Sequence, residues 1–192
     1  METASTRPKR RTRADATRNR ETLLAAAKTV FARDGSTASL ESVAREAGFG
    51  IGTLYRHFPT REALYEAVYR RDIEQLVEWS DVVESDDPVE DLRRWLHAMV
   101  GMVATKKGMI AAFALAADTT SAISARWTGS LTGALEAMLD RAVRAGRIRP
   151  DIRGEELLLA VVGMCMLRDQ RDWQASVFRL TDTLVDGLRT AG

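Results

Sequence analysis

The fold is decided by residues 39–58, which read Ser39-Leu-Glu-Ser-Val-Ala-Arg-Glu-Ala-Gly-Phe-Gly-Ile-Gly-Thr-Leu-Tyr-Arg-His-Phe58. The apolar positions 40, 43, 44 and 47 follow helical spacing and predict one buried stripe on a first short helix. Ser39 is placed to cap the start of that helix with its hydroxyl. Gly48 follows the stripe, where a residue with left-handed backbone commonly ends a helix.

A second short helix fits residues 50–58, with Leu54 and Phe58 turned inward one helical turn apart. Two helices joined by a glycine-containing turn indicate a helix-turn-helix, whose second helix enters the major groove of DNA. The side chains left facing outward can read bases or donate to phosphates. We therefore predict DNA contacts from Ser39, Gly50, Ile51, Gly52, Thr53, Tyr55, Arg56, His57 and Arg61. The alternative is a solvated face on a small helical subdomain that binds no DNA.

The same region resembles the DNA-binding domain of TetR-type transcriptional regulators. The likeness is carried by residues 39–48, by the run Gly52-Thr-Leu-Tyr-Arg-His-Phe-Pro-Thr-Arg-Glu-Ala-Leu64 and by the preceding pattern Leu24-x-x-Ala27-x-x-x-Phe31-x-x-x-Gly35. One departure is Gly50, which stands where the family usually has a Ser or Thr cap, and glycine is a somewhat weaker cap. The resemblance implies a DNA-binding regulator whose second domain holds a small-molecule site and dimerises.

Charge is distributed unevenly along the chain. Residues 1–61 contain 12 Lys and Arg against six Asp and Glu, a net charge of +6, whereas the remainder carries a net charge of −5. Because the excess positive charge lies in the N-terminal third, we expect a polyanion such as DNA to be attracted to the helix-turn-helix. Within it, residues 1–14 are rich in arginine and almost free of apolar residues, which predicts a disordered basic arm. The arm either adds phosphate or minor-groove contacts or is an ordinary solvated terminus.

Helical periodicity continues through the whole chain, so we predict an all-α protein of two domains. Residues 15–61 form a three-helix DNA-binding domain, whose first helix covers residues 16–33. Residues 62–192 form a helical regulatory and dimerisation domain, entered through a connecting helix at 62–79. Further helices are predicted at 89–104, 108–117, 121–145, 154–167 and 173–190. An acidic loop over residues 80–88 precedes them, and Gly146 and Pro150 mark a clear break.

Methionines and tryptophans are concentrated in the second domain, where they share helix faces with other apolar residues. Flexible thioethers and flat rings suit an adaptable apolar pocket. The candidate pocket residues are Trp95, Met99, Met102, Met109, Phe113, Trp127 and Leu131. Ordinary core packing is the competing interpretation, because such stripes usually form the core of a bundle.

The last two predicted helices are apolar over broad faces. A helix that is apolar nearly all round must be buried on more than one side. In a chain this small, that favours a two-fold dimer in which both helices pair with their copies. The candidate interface residues are Leu158, Val161, Val162, Cys165, Trp173, Val177, Leu180 and Leu184. Burial wholly within one chain is the alternative.

Together these features predict a homodimeric transcriptional repressor that leaves a palindromic operator when a small apolar or aromatic effector binds. The alternative is a constitutive or architectural DNA-binding protein whose second domain only dimerises. An enzyme is not expected, because the chain has only two histidines and no metal-spaced cluster, and no cofactor or metal is predicted. A single cysteine, with no signal peptide or membrane span in the sequence, predicts a cytoplasmic protein.

Overall fold

The structure is a computed structural model that describes residues 8–82, 85–113, 117–166 and 172–190. Within these ranges, the side chains at 8–13, 36, 110–113, 117–124 and 126 are also outside the description. The helices are α1 (Pro8–Asp34), α2 (Leu40–Glu46), α3 (Ile51–His57), α4 (Arg61–Val82), α5 (Pro88–Phe113), α6 (Ala117–Arg144), α7 (Gly154–Met166) and α8 (Trp173–Gly187). In the described part of the chain, one isolated bridge between Ile148 and Arg189 is the only β-type pairing, so the predicted all-α class is confirmed.

Two compact units make up the chain. The first contains the described residues up to Val68 and the stretch of α5 from Gly108 onward. The second contains Tyr69–Lys107 and the remaining residues. Helices α4 and α5 therefore each have residues in both units. The predicted domain boundary after residue 61 lies at the start of α4, whereas the two units divide within α4, between Val68 and Tyr69.

Helix α1 begins at Pro8, so the prediction of a disordered arm over residues 1–14 is wrong for residues 8–14. Proline suits the first turn of a helix, because the N–H it lacks would have no helical partner there. The residues that follow are mainly good helix formers, and their positive charge did not prevent helix formation. The first seven residues lie outside the described part of the chain.

The helix-turn-helix forms as its local signals predict. Ser39 caps α2, its Oγ accepting a hydrogen bond from the N–H of Ser42 at 3.1 Å. Gly48 has φ of +73°, the left-handed conformation that glycine adopts at little cost. The predicted stripe is buried at Leu40, Val43 and Ala44. Its fourth member, Ala47, is only half-buried, because α2 ends at Glu46 and Ala47 is its C-cap.

One uninterrupted helix, α5, replaces the two helices predicted at 89–104 and 108–117. The expected break at residues 105–107 does not occur, and the single glycine that follows them weakens a helix without ending it. The reason for this glycine lies in packing. A Cβ placed on Gly108 would lie 2.4 Å from the carbonyl oxygen of Phe31 near the end of α1. Helix α5 thus approaches the backbone of α1 at a distance that only glycine permits.

The second unit has an apolar core, and polar contacts join its helices. Trp95 is fully buried, and its Nε1 donates to the carbonyl of Leu76 at 2.9 Å. Arg93 on α5 forms ion pairs with Asp182 and Asp186 on α8. These ion pairs help to hold α8 against α5. None of the described helices is both long enough and apolar enough to span a membrane.

Candidate nucleic-acid interface and ligand cavity

Helix α3 has one buried side and one exposed side. Leu54 is fully buried and Phe58 is 2% exposed, as the sequence predicts. The guanidinium of Arg20 lies 5.0 Å from the centroid of the Phe58 ring, an arrangement that favours a cation–π interaction. These contacts fix the rotation of α3 about its axis. As a result, Tyr55 and Arg56 point to solvent, with Tyr55 45% exposed.

Arg56 is held on the outer surface of α3 by its own helix. Its Nε donates to the carbonyl of Gly52 at 3.2 Å, and its Nη2 donates to Thr53 Oγ1 at 3.0 Å. These exposed bonds can be exchanged for the two acceptors of a guanine edge, which arginine binds in a bidentate manner. Ile51, Thr53 and His57 are half-buried, so they border this face rather than project from it.

The remaining predicted DNA contacts lie at helix starts. Gly50 is the N-cap of α3 and supplies no side-chain cap bond, so that end of the helix has no hydroxyl of its own. The Ser39 hydroxyl is engaged in capping α2. Arg61 is the exposed first residue of α4, where Thr60 Oγ1 accepts a hydrogen bond from the N–H of Ala63 at 3.1 Å. Helix starts with free N–H groups and nearby cations attract phosphates.

A cavity of about 140 Å³ lies within the second unit. Its described lining is Tyr69, Met99, Met102, Val103, Lys106, Thr128, Leu131, Leu158, Leu159, Val162 and Met166. Three of the seven predicted pocket residues, Met99, Met102 and Leu131, are among them. The sequence pattern groups apolar residues on helix faces, but it does not resolve which of those faces surround the open space.

Of the other four predicted pocket residues, the three whose side chains are described do not line this cavity. Trp95 and Met109 are core residues with 0% and 1% exposure. Trp127 is half-buried and lines a different, shallow groove beside Glu74 and Glu78 on α4. The side chain of Phe113 lies outside the described residues. Shared helical spacing groups residues on a face, but the core and the cavity occupy adjacent faces of the same helices.

Sequence reasoning missed the polar part of this lining. Lys106 borders the cavity, and its Nζ lies 5.3 Å from the centroid of the Tyr69 ring. Burial lowers the pKa of Lys106. The sequence contains a sign of this polar lining, since Lys106 and Lys107 interrupt an otherwise apolar segment.

Several predicted interface residues are buried by the chain itself. Val161, Cys165 and Val177 are fully buried and Leu158 is 5% exposed, so these four cannot form an outer contact surface. Their helices pack on the rest of the second unit through this side. Burial also raises the pKa of the Cys165 thiol to about 11. This leaves the thiol a poor nucleophile.

The other four interface candidates lie in three different environments. Val162 lines the cavity, and Trp173 is half-buried with Lys107 Nζ 4.6 Å from its ring centroid. Leu180 is 43% exposed and Leu184 is half-buried. These two border an apolar groove of about 440 Å³ together with Arg149, Ala160, Met164, Thr183, Gly187 and Leu188.

Two protein-family profiles match the chain. Residues 23–68 match the profile described as bacterial regulatory proteins of the tetR family. Residues 87–190, more than half of the chain, match the profile of the SbtR-like transcriptional regulator C-terminal domain. The chain belongs to the TetR family of transcriptional regulators. Its helix-turn-helix is therefore the DNA-binding element of a transcriptional regulator, and the predicted family resemblance is confirmed.

Solved structures of TetR-family proteins agree with this assignment. The TetR transcriptional regulator SCO0520 from Streptomyces coelicolor is 38% identical, with 90% of this chain and 99% of that chain covered and a TM-score of 0.76. A TetR transcription regulatory protein from Mycobacterium vanbaalenii is 28% identical over 93% of this chain and 99% of that one, with a TM-score of 0.69.

Among curated proteins, the HTH-type transcriptional regulator SAR0097 of Staphylococcus aureus (strain MRSA252) is 31% identical over 100 residues. That alignment covers 50% of each protein, so this chain spans about half the length of the curated relative. A second regulator, SAUSA300_2515 from strain USA300, is 33% identical over 75 residues, which is 38% of this chain and 40% of that relative.

Proposed function

We propose that this protein represses transcription as a homodimer that binds a palindromic operator and is released by a small apolar ligand. The outward face of α3, led by Arg56, carries the proposal. Its orientation is set by the buried Leu54 and Phe58, so a folded first unit presents this face to solvent. In a two-fold dimer, two such helices spaced about 34–36 Å apart would meet successive major grooves on one side of the DNA.

A second copy of the chain is the partner that best fits the apolar groove between α7 and α8. The groove is bordered by Ala160, Met164, Leu180 and Leu184, and an exposed apolar surface of this kind marks an interaction site. Leu180→Glu should convert the dimer to a monomer in light scattering after size exclusion. Gln174→Glu adds the same charge at an exposed position of α8 outside the groove and should leave the dimer intact. A dimer that survives Leu180→Glu would move the interface elsewhere.

Ligand release requires a connection between cavity and DNA-binding unit, and α5 is suited to provide it. The helix lines the cavity at Met99, Met102 and Lys106, then meets the end of α1 at Gly108. A ligand that shifts α5 would therefore alter a contact inside the first unit. Coupling of about 1–3 kcal/mol is enough to change operator affinity about 5–150-fold.

The test of the proposal is a gel-shift titration with DNA from upstream of the protein's own gene. It is repeated with a panel of small apolar and aromatic compounds. Saturable binding that one compound relieves would support both the repressor and the ligand response. Binding that no compound of the panel relieves would favour a constitutive regulator whose second unit only dimerises. Absence of saturable binding would refute operator recognition at this site.

Arg56 tests the recognition face directly. Arg56→Ala should weaken operator binding by about 1–3 kcal/mol, the usual contribution of a bidentate base contact. The matched control is Arg70→Ala, which removes an equal charge from an exposed position on α4. The control should retain operator affinity. If both variants bind as the unmodified protein does, Arg56 does not take part in reading the operator.

A further inference from the structure

The cavity in the second unit has the size of a single small ring. Its volume of about 140 Å³ is close to that of an apolar cavity of about 150 Å³ known to admit benzene. The walls come from α4, α5, α6 and α7, and each contributes residues of the second unit alone. Nine of the eleven described lining residues are apolar or aromatic. A six-membered ring with a short substituent therefore fits the space, whereas two fused rings exceed it.

The polar residues of the described lining are already engaged within the protein. They are Tyr69, Lys106 and Thr128, and each of them has an interaction partner. The Nζ of Lys106, for example, lies 5.3 Å from the centroid of the Tyr69 ring. No carboxylate is among the described lining residues. A charged ligand would therefore either displace an existing interaction or lose its hydration without gaining a partner, and both are costly.

The cavity reaches the protein surface along α7. Leu159 and Met166 line it and are 64% and 50% exposed, whereas Met99 and Met102 on α5 are buried. The described entrance is thus apolar as well. A charged group that stayed in water at this entrance would hold its ring partly outside the cavity. The entrance and the interior therefore both favour a ligand without charge.

Three methionines, Met99, Met102 and Met166, bring thioether sulfurs to the cavity wall. A thioether sulfur makes favourable contacts with an aromatic ring beyond those of ordinary apolar packing. A saturated ring of similar shape gains no such contact. The wall therefore distinguishes two ligands that differ little in size or hydrophobicity.

We propose that the effector is a neutral compound with a single aromatic ring, held between the methionines of α5 and α7. This inference deepens the ligand response proposed above and rests on it for the cavity being the effector site. The cavity volume excludes fused rings, the apolar lining rejects ions, and the thioethers favour an aromatic ring over a saturated one.

Titration calorimetry on the DNA-free protein tests the inference with anisole, methoxycyclohexane, benzoate and benzylamine. Anisole should bind about two- to tenfold more tightly than methoxycyclohexane, the range expected from sulfur–aromatic contacts. Benzoate and benzylamine should each bind at least about tenfold more weakly than anisole, because each must bury a charge. Saturating 2-methoxynaphthalene, which carries a second fused ring, should leave the anisole titration unchanged.

Replacing the three methionines tests the role of sulfur. The triple variant Met99→Leu, Met102→Leu, Met166→Leu keeps the lining apolar and nearly the same in volume. It should bind anisole and methoxycyclohexane with equal affinity, while unchanged methoxycyclohexane binding shows that the cavity is intact. Met138→Leu makes the same change at a buried residue of α6 outside the described lining, and it should keep the preference for anisole.

Four results would overturn the inference: equal affinity for anisole and methoxycyclohexane in the unmodified protein, a preference that persists in the triple variant, tighter binding of either ion, or binding of none of the probes. A parallel gel-shift separates this inference from the repressor proposal. Anisole that binds as expected but leaves the operator complex intact would support the ligand class and refute ligand release. Operator release by another compound, with no anisole binding, would refute the ligand class alone.

Discussion

Gly108→Ala tests whether the close approach of α5 to α1 is a constraint on this fold. The added Cβ would lie 2.4 Å from the Phe31 carbonyl oxygen and 3.6 Å from Gly35 Cα, whereas ordinary contact begins at 3.4 Å. The backbone must therefore give way by about 1 Å, since a carbonyl in a helix cannot rotate aside. Forcing atoms into a packed site costs about 1–3 kcal/mol. The helix preference for alanine over glycine offsets about 0.5–1 kcal/mol of that.

Gly101→Ala is the matched control, because it makes the same chemical change in the same helix. Beyond the neighbouring residues and backbone of its own helix, no described atom lies within 4 Å of a Cβ placed there. Urea denaturation followed by far-ultraviolet circular dichroism should show Gly101→Ala to be more stable than the unmodified protein by up to about 1 kcal/mol. It should show Gly108→Ala to be less stable by about 1–2 kcal/mol. Equal stability of the two variants would refute the idea that α5 is held against the α1 backbone at Gly108.

The remaining predictions concern charge and capping. Burial tends to raise the pKa of Asp182, but hydrogen bonding with Arg93 and His97 outweighs it and holds the pKa below the ordinary value of 3.8. A depressed carboxyl pKa contributes stability above the unfolded value and loses it as pH falls through the folded value. Asp182→Asn should therefore cost about 1 kcal/mol at neutral pH and progressively less below about pH 4, and a pH-independent loss in urea melts would contradict this. Ser39→Ala should cost about 1 kcal/mol by removing the cap on the Ser42 N–H, while Ser39→Asp should retain the stability.

The helix-turn-helix was predictable because its signals are local. Ser39, Gly48 and the residue preceding Pro59 set the ends of two short helices through backbone geometry that depends on few distant contacts. The spacing of Leu54 and Phe58 then determines which side of α3 is buried. The outer face could therefore be assigned before any tertiary structure was known. The additional turns at the start of α1 were not predicted, because a run of positive charge is typical of a disordered segment even where its residues favour a helix.

The continuity of α5 could not be read from the sequence for the opposite reason. Residues Thr105 to Gly108 combine a β-branched residue, two lysines and a glycine, which locally resemble a loop. What keeps them helical is contact with residues far away in the chain. Lys106 lies over the Tyr69 ring, Lys107 Nζ donates to the Cys165 carbonyl at 3.3 Å, and Gly108 meets Phe31. Local patterns cannot report contacts of this range.

Helix α7 shows why the sequence pattern cannot separate core residues from residues that line the cavity or the outer groove. Its sequence is apolar nearly all round, and this correctly indicates more than one apolar neighbour. In the structure, Leu157 and Val161 are buried, Leu158 and Val162 line the cavity, and Met164 borders the outer groove. Consecutive residues on a helix are about 100° apart, so side chains that face the core, the cavity and the outer groove follow one another within two turns. A hydrophobic count cannot separate them, because a core, a ligand cavity and a protein partner select for the same side chains. The charged residues that interrupt the apolar segments carry the distinguishing information, and Lys106 is such a residue at the cavity.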